Sequence, residues 1–258
     1  MKKQIAFTIA DERNLPYAQM MIRSLRKFHS EEELPIVIIG PDELKDIKDP
    51  AKFYRMTPFI AKPLMAEYEL VLKLDADMII TGPLDFVLNT TDYDIGTVSN
   101  FSRVDVKEYG EVSVWDISPM EYFNCGFVAM RSKEFVDHWY ELCFGPHFES
   151  YRYKEQDLLN ILCHYGNYKV RCFDYSDDTR SEWYGMFSKG EWPRVKLDGD
   201  KLVLPANEDG YPSKDMIIKC IHFAGGEGNP TKMKYKLFFN DECIKRLDYL
   251  TNEEKKKP

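Results

Sequence analysis

An alternation near the start of the chain constrains its fold more than any other feature. "QIAFTIA" (4–10) is a short apolar run suited to a buried strand. "NLPYAQMMIRSLRKFHS" (14–30) then spaces Tyr17, Met20, Met21, Ile22, Leu25 and Phe28 as one stripe of a helix. "PIVIIG" (35–40) is a second apolar run, closed by Gly40 ahead of Pro41 and Asp42. Parallel strands need a crossover, and a helix supplies one, so strand–helix–strand predicts parallel pairing with helices laid over the sheet.

Later segments extend this α/β pattern. "ELVLKLDAD" (69–77) reads as a third strand; "YDIGTVS" (93–99) and "YFNCGFVAM" (122–130), rich in β-branched and aromatic residues, read as further ones. Between these two, residues 101–120 have no clean period and are expected to form an irregular excursion. "SKEFVDHWYELCF" (132–144) and "KEQDLLNILCHYG" (154–166) carry helical apolar stripes. "KVRCF" (169–173) and "MIIKCIHFAGG" (216–226) read as late strands, the last running into a glycine-rich loop. The tail "TNEEKKKP" (251–258) reads as a solvated helix end. No repeat, low-complexity linker or compositional break divides the chain, so a single domain over 1–258 is expected.

With 44% hydrophobic and 30% charged residues the composition is that of a soluble globular protein. A net charge of −8 argues against a nonspecific grip on nucleic acid. The apolar stretch between Lys3 and Asp11 is too short for a signal peptide, and no run approaches the roughly 20 residues that span a bilayer. A cytoplasmic protein with no transmembrane segment is expected. Six cysteines lie scattered, without a CxxC pair, and read as buried free thiols.

The chemistry concentrates where the third strand leaves the core. Ligands of open α/β sheets gather beyond the carboxyl ends of strands, and Asp75 and Asp77 stand at such an end. Strand alternation would put both carboxylates on one face, with the small Ala76 between them. Two neighbouring anions need a compensating cation or proton. Mn²⁺ or Mg²⁺ carrying a nucleotide diphosphate is one such compensator; an acidic turn capped by backbone amides is the plainer alternative.

"LKLDADMIITGPLD" resembles the DxD segment of glycosyltransferases with the GT-A fold, above all family 8, the glycogenin and bacterial galactosyltransferase group. Three further stretches resemble that family in order and spacing. "YFNCGFVAM" matches its Phe-Asn-x-Gly strand at Phe123, Asn124 and Gly126. "EQDLLN" matches its Asp-Gln-Asp-x-Leu-Asn helix start at Gln156, Asp157, Leu159 and Asn160, with Glu155 replacing the leading acid. "IHFAGG" matches its His-Phe-x-Gly element at His222, Phe223 and Gly225.

The resemblance implies a Rossmann-like mixed central sheet flanked by helices, with a smaller acceptor-side region. A nucleotide-binding half (1–100), an acceptor half (101–240) and a C-terminal helix and tail (241–258) follow from it. It implies a metal-dependent transfer of a hexose from a nucleotide diphosphate sugar, a UDP-sugar above all, to a glycan, protein or small-molecule acceptor, with retained configuration.

By the same likeness Asp75, Asp77 and His222 bind Mn²⁺ or Mg²⁺. Thr8, Ala10, Asp11 and Tyr17 hold the nucleoside; Arg55 or Lys62 faces the diphosphate; Ala76 and Gly225 complete the nucleotide site. Asn124, Gly126 and Gln156 line the donor sugar, and Glu155, Gln156 and Asp157 are the catalytic candidates. The family's Lys-Pro-Trp after this histidine is missing: "HFAGGEGNPTK" offers Pro230 but no Trp, leaving Lys232 or Lys234 to substitute. The aromatic and charged stretch 175–194 suits an acceptor or lid role. Two other classes fit a bare DxD: a phosphohydrolase of the haloacid dehalogenase type, and a non-catalytic nucleotide-sugar or glycan-binding module.

Overall fold

A computed structural model describes residues 2–44, 55–99, 117, 121–173, 194–206, 214–223 and 239–252, together with the backbone of 182–185. The chain opens with β1 (Lys2–Ile9), α1 (Leu15–Arg26) and β2 (Ile36–Ile39), the alternation expected from the sequence. There follow α2 (Pro41–Leu44), α3 (Met56–Leu64), β3 (Tyr68–Leu74), β4 (Met78–Ile80), α4 (Asp85–Leu88), β5 (Ile95–Ser99) and β6 (Phe123–Met130). Then come α5 (Lys133–Cys143), α6 (Glu155–Tyr165), β7 (Val170–Cys172), β8 (Glu182–Gly185), β9 (Lys196–Asp198), β10 (Lys201–Leu204), β11 (Met216–His222) and α7 (Asp241–Thr251).

Two sheets result. The first has six strands in the order β2-β1-β3-β6-β5-β7. β1 is parallel to β2 and β3, β6 runs antiparallel to β3 and β5, and β7 returns parallel to β5. The second has the order β4-β11-β10-β9, with β8 parallel to β11.

Period-two alternation explains how the first sheet is covered. Ile5 and Phe7 of β1 and Val71 of β3 pack with Phe135, Trp139 and Leu159 from α5 and α6. Ala6, Leu70, Leu72 and Leu74 point to the opposite face and meet Met21 and Leu25 of α1. With helices on both faces, the centre of the sheet reads as a continuous apolar run rather than an alternating one.

α5 begins at Ser132, whose hydroxyl accepts from the Phe135 amide at 3.2 Å, a cap that contributes about 1 kcal/mol. About two turns later its buried Trp139 donates from the indole to the Glu155 carbonyl at 3.0 Å, fixing where α6 starts.

Among the elements the sequence did not disclose are α3 and the strands β9 and β10. α3 contains Pro58 and Pro63, which disguise it; Pro58 falls in the first turn, where no amide donor is required. β9 and β10 form a hairpin around Gly199 and Asp200, with Gly199 at φ +61, a backbone that favours glycine. All six cysteines are free. Among the described residues no helix is long and apolar enough to cross a membrane.

Candidate active site

The acid pair marks the passage from one sheet to the other. β3 ends at Leu74, and the Asp75 amide then donates to the Gly126 carbonyl of β6 at 2.9 Å. Two residues on, the Asp77 carbonyl accepts from the Phe223 amide at 3.0 Å, and Met78 opens β4 opposite His222 of β11. This corrects the expectation that Asp75 and Asp77 share a face by strand alternation. They lie in a turn beyond the strand, and a ladder bond on each side sets their direction. Ala76 is buried with Ala10, Tyr17 and Ala18, while its two acidic neighbours stay part-exposed.

His222, 4% exposed, stands between the acids. Its Nε2 lies 3.4 Å from Asp75 Oδ2 and 3.2 Å from Asp77 Oδ1. One ligand atom from each of the three lies within 4.8 Å of the others. Gly126 makes this approach possible: a Cβ there would stand 2.4 Å from His222 Cε1 and 2.6 Å from Asp75 Oδ2. Two carboxylate oxygens and one imidazole nitrogen, with space kept open beside them, fit Mn²⁺ or Mg²⁺.

The charges of the site compensate one another. Burial would raise the Asp75 carboxyl, but the Lys73 ammonium, followed by His222, outweighs it and holds Asp75 well below the usual carboxylate range. Burial would also lower Lys73, and Asp75 reverses that. His222 is driven down by burial yet pushed up to about 9 by Asp77 and then Asp75, so it carries a proton at neutral pH. A bound divalent cation would release that proton.

A cavity of about 390 Å³ opens over the trio, lined by Asn124, Gly126, Arg152, Tyr153, Lys154, Glu155 and Gln156. Gln156 Oε1 accepts from the Cys125 amide at 3.0 Å and from Asn124 Nδ2 at 3.4 Å. Asn124 Oδ1 accepts in turn from the Gly126 amide at 2.6 Å. Asn160, one turn along α6, clasps both backbone groups of Phe123, at 2.7 and 3.0 Å. These bonds dock α6 on β6 and fix Glu155 and Gln156 at the cavity wall.

Asp157 points elsewhere. Successive helix residues are rotated by about 100°, and this one turns into the interior, accepting from Tyr122 Oη at 2.6 Å and the Tyr153 amide at 2.7 Å. Burial, then the Asp157 charge, drives the Tyr122 phenol far above its ordinary range. Before α6, Lys154 has φ +52, strained for a residue with a side chain, at a cost of about 1–3 kcal/mol. Its ammonium is held by Glu149 at 3.1 Å.

Other sequence candidates lie apart from the trio. Arg55 pairs with Glu149 at 2.9 Å and packs 4.2 Å over Phe148. Lys62 pairs with Asp137 at 3.0 Å and sits 4.5 Å over Tyr140. Neither lines the cavity. Asp11 Oδ1 accepts from the Asn14 amide ahead of α1 and borders a separate depression with Arg13 and Pro41. Thr8 is fully buried, its hydroxyl without a partner among the described residues. Gly225, Lys232, Lys234 and most of 175–194 lie outside the described residues. Lys73 went unnoticed in the sequence, although a lysine inside an unbroken apolar strand is itself a signal, because a buried ammonium needs partners.

Burial pushes the Glu155 carboxyl up to about 8, against the pull of Lys73. The folded chain therefore keeps a proton that the unfolded chain loses near 4.5. Stability from this group is complete below that value and is lost as pH rises toward about 8. The expected slope is at most about 1.4 kcal/mol per pH unit. Urea unfolding midpoints measured across this window with EDTA present should fall with pH, and Glu155→Gln should flatten the decline; equal slopes in both proteins would contradict this.

No protein-family model matches the chain, and no curated protein matches it in sequence. Solved structures do. The galactosyltransferase LgtC in complex with donor and acceptor sugar analogues superposes with a TM-score of 0.55 at 16% identity, over 98% of this chain and 98% of LgtC. An active-site mutant of LgtC gives 0.54 at 16% identity with the same coverage. The apo bifunctional glycosyltransferase WbbM gives 0.53 at 12% identity over 95% of this chain, which spans only 52% of WbbM. At such identities the likeness speaks for architecture: the chain has the GT-A fold of these solved glycosyltransferases.

Proposed function

We propose that the chain is a metal-dependent glycosyltransferase that moves a hexose from a nucleotide diphosphate sugar, with a UDP-sugar the expected donor, to a glycan, protein or small-molecule acceptor with retained configuration. The observation that carries this reading is the convergence of Asp75, Asp77 and His222 at the mouth of a cavity whose wall holds Asn124, Glu155 and Gln156. Residues 1–100 would hold the nucleotide and 101–240 the acceptor. The six free thiols suit the reducing, cytoplasmic setting expected from the sequence.

Asp75, Asp77 and His222 would hold Mn²⁺ or Mg²⁺, which when bound supplies positive charge for the departing diphosphate. Gln156, fixed by the Cys125 amide, and Asn124 form a firm wall for the donor sugar. Glu155 stands at the same wall beside the Cys125 thiol, where its carboxyl is within the cavity that would take the sugar. A protein base is not required, because the departing diphosphate can take the acceptor's proton.

The test is a panel of nucleotide sugars incubated with the chain and Mn²⁺, with and without EDTA. Sugar released to water from at least one donor, in the Mn²⁺ samples alone, is the expected result. Phosphate release from simple monoesters would identify a phosphohydrolase, and binding without turnover a recognition module; either overturns the reading.

A further inference from the structure

β3 is buried along its last five residues, Leu70 to Leu74, and Lys73 is one of them, 5% exposed. Its ammonium does not reach past the acid pair to solvent. Nζ stands 2.5 Å from Asp75 Oδ1, donates to the Cys125 carbonyl at 2.6 Å, and forms part of the cavity wall. The other oxygen of the same carboxylate, Oδ2, is the one that faces His222. Asp75 is thus divided, with one oxygen held by a fixed cation and the other turned to the ligand position.

We propose that Lys73 is a resident counter-ion and positioning residue of the metal site: it limits Asp75 to one-oxygen ligation and keeps affinity for a free divalent cation low, so that the cation is retained chiefly together with a diphosphate. The inference rests on the metal reading above. Affinity for hard divalent cations follows the charge and number of oxygens offered. Two carboxylates beside a neutral imidazole offer two negative charges, and the lysine cancels one and occupies an oxygen. A diphosphate brings both back, with oxygens of its own. The device therefore couples cation binding to donor binding without any moving part.

The coupling is read by titrating the full chain with Mn²⁺, following free Mn²⁺ by electron paramagnetic resonance, in the presence and absence of UDP. The native chain should hold Mn²⁺ weakly alone and about tenfold or more tightly with UDP. Lys73→Gln, which retains a donor toward the Cys125 carbonyl, and Lys73→Met should each bind Mn²⁺ alone about tenfold or more tightly than the native chain. A lysine that served only packing would leave affinity unchanged or weaker on removal. Folded variants that bind Mn²⁺ no more tightly than the native chain overturn the proposal. So does a native chain indifferent to UDP, a readout that needs no variant. A native chain that fails to bind Mn²⁺ even with UDP overturns the metal reading itself, and the two failures are thereby told apart.

Discussion

Asp77→Ala should lower Mn²⁺-dependent turnover by about a thousandfold or more while shifting the melting temperature by only a few degrees. The size follows from position: losing a group that merely orients a ligand costs 10- to 100-fold, and a direct ligand costs more. The loss corresponds to about 4 kcal/mol of transition-state stabilisation. The small effect on stability follows from what Asp77 touches. Its carboxylate meets His222, and its structural bond to Phe223 runs through the backbone carbonyl, which alanine keeps. Asp75→Ala is less clean, since it strands the buried Lys73. The check is kcat/KM for the donor found by the panel, beside a thermal melt. Unchanged turnover would remove the acid pair from the mechanism.

Gly126→Ala is the second large effect, and it should damage fold and site together. Its methyl would stand 2.4 Å from His222 Cε1, 2.6 Å from Asp75 Oδ2 and 2.7 Å from Asn124 Oδ1, and the buried imidazole has little freedom to retreat. Forcing a methyl into such a space costs about 1–3 kcal/mol. Displacing ligands by even an ångström is expected to cost about a hundredfold in activity. Gly40→Ala is the control, since the nearest atom there would be 3.6 Å from the new carbon. Melting temperature and Mn²⁺ affinity measured for both variants decide the matter; a Gly126→Ala protein as stable and as active as the control would contradict the close packing.

Much of the architecture could be read from the chain because apolar period and element type agree in β1, α1, β2 and β3. Where they disagree the reading failed. Two prolines mask α3, and the short hairpin at Gly199 has strands of three and four residues, too brief to show a period. The acid pair, Gly126 and His222 were visible as residue types in order, but their meeting depends on backbone bonds from the Asp75 amide to Gly126 and from the Phe223 amide to Asp77 that no spacing encodes. Asp157 looked like a cavity residue because it adjoins Gln156 in sequence; one helical step turned it into the interior. Lys73 was hidden by its apolar surroundings, though those surroundings are what make it unusual.

The turn from Asp75 to Asp77 has one more consequence. The two sheets have separate ladders, and Asp75 follows the last strand residue of one while His222 ends a strand of the other. An ion gripped by all three side chains would act as a clasp across that seam. β4 and β11 could then not peel away from β3 until the clasp was released, whereas without it apolar packing and the contact of His222 with Asp75 resist the peeling. If the trio of side chains holds an ion as proposed, the order in which this protein comes apart would depend on whether that ion is bound.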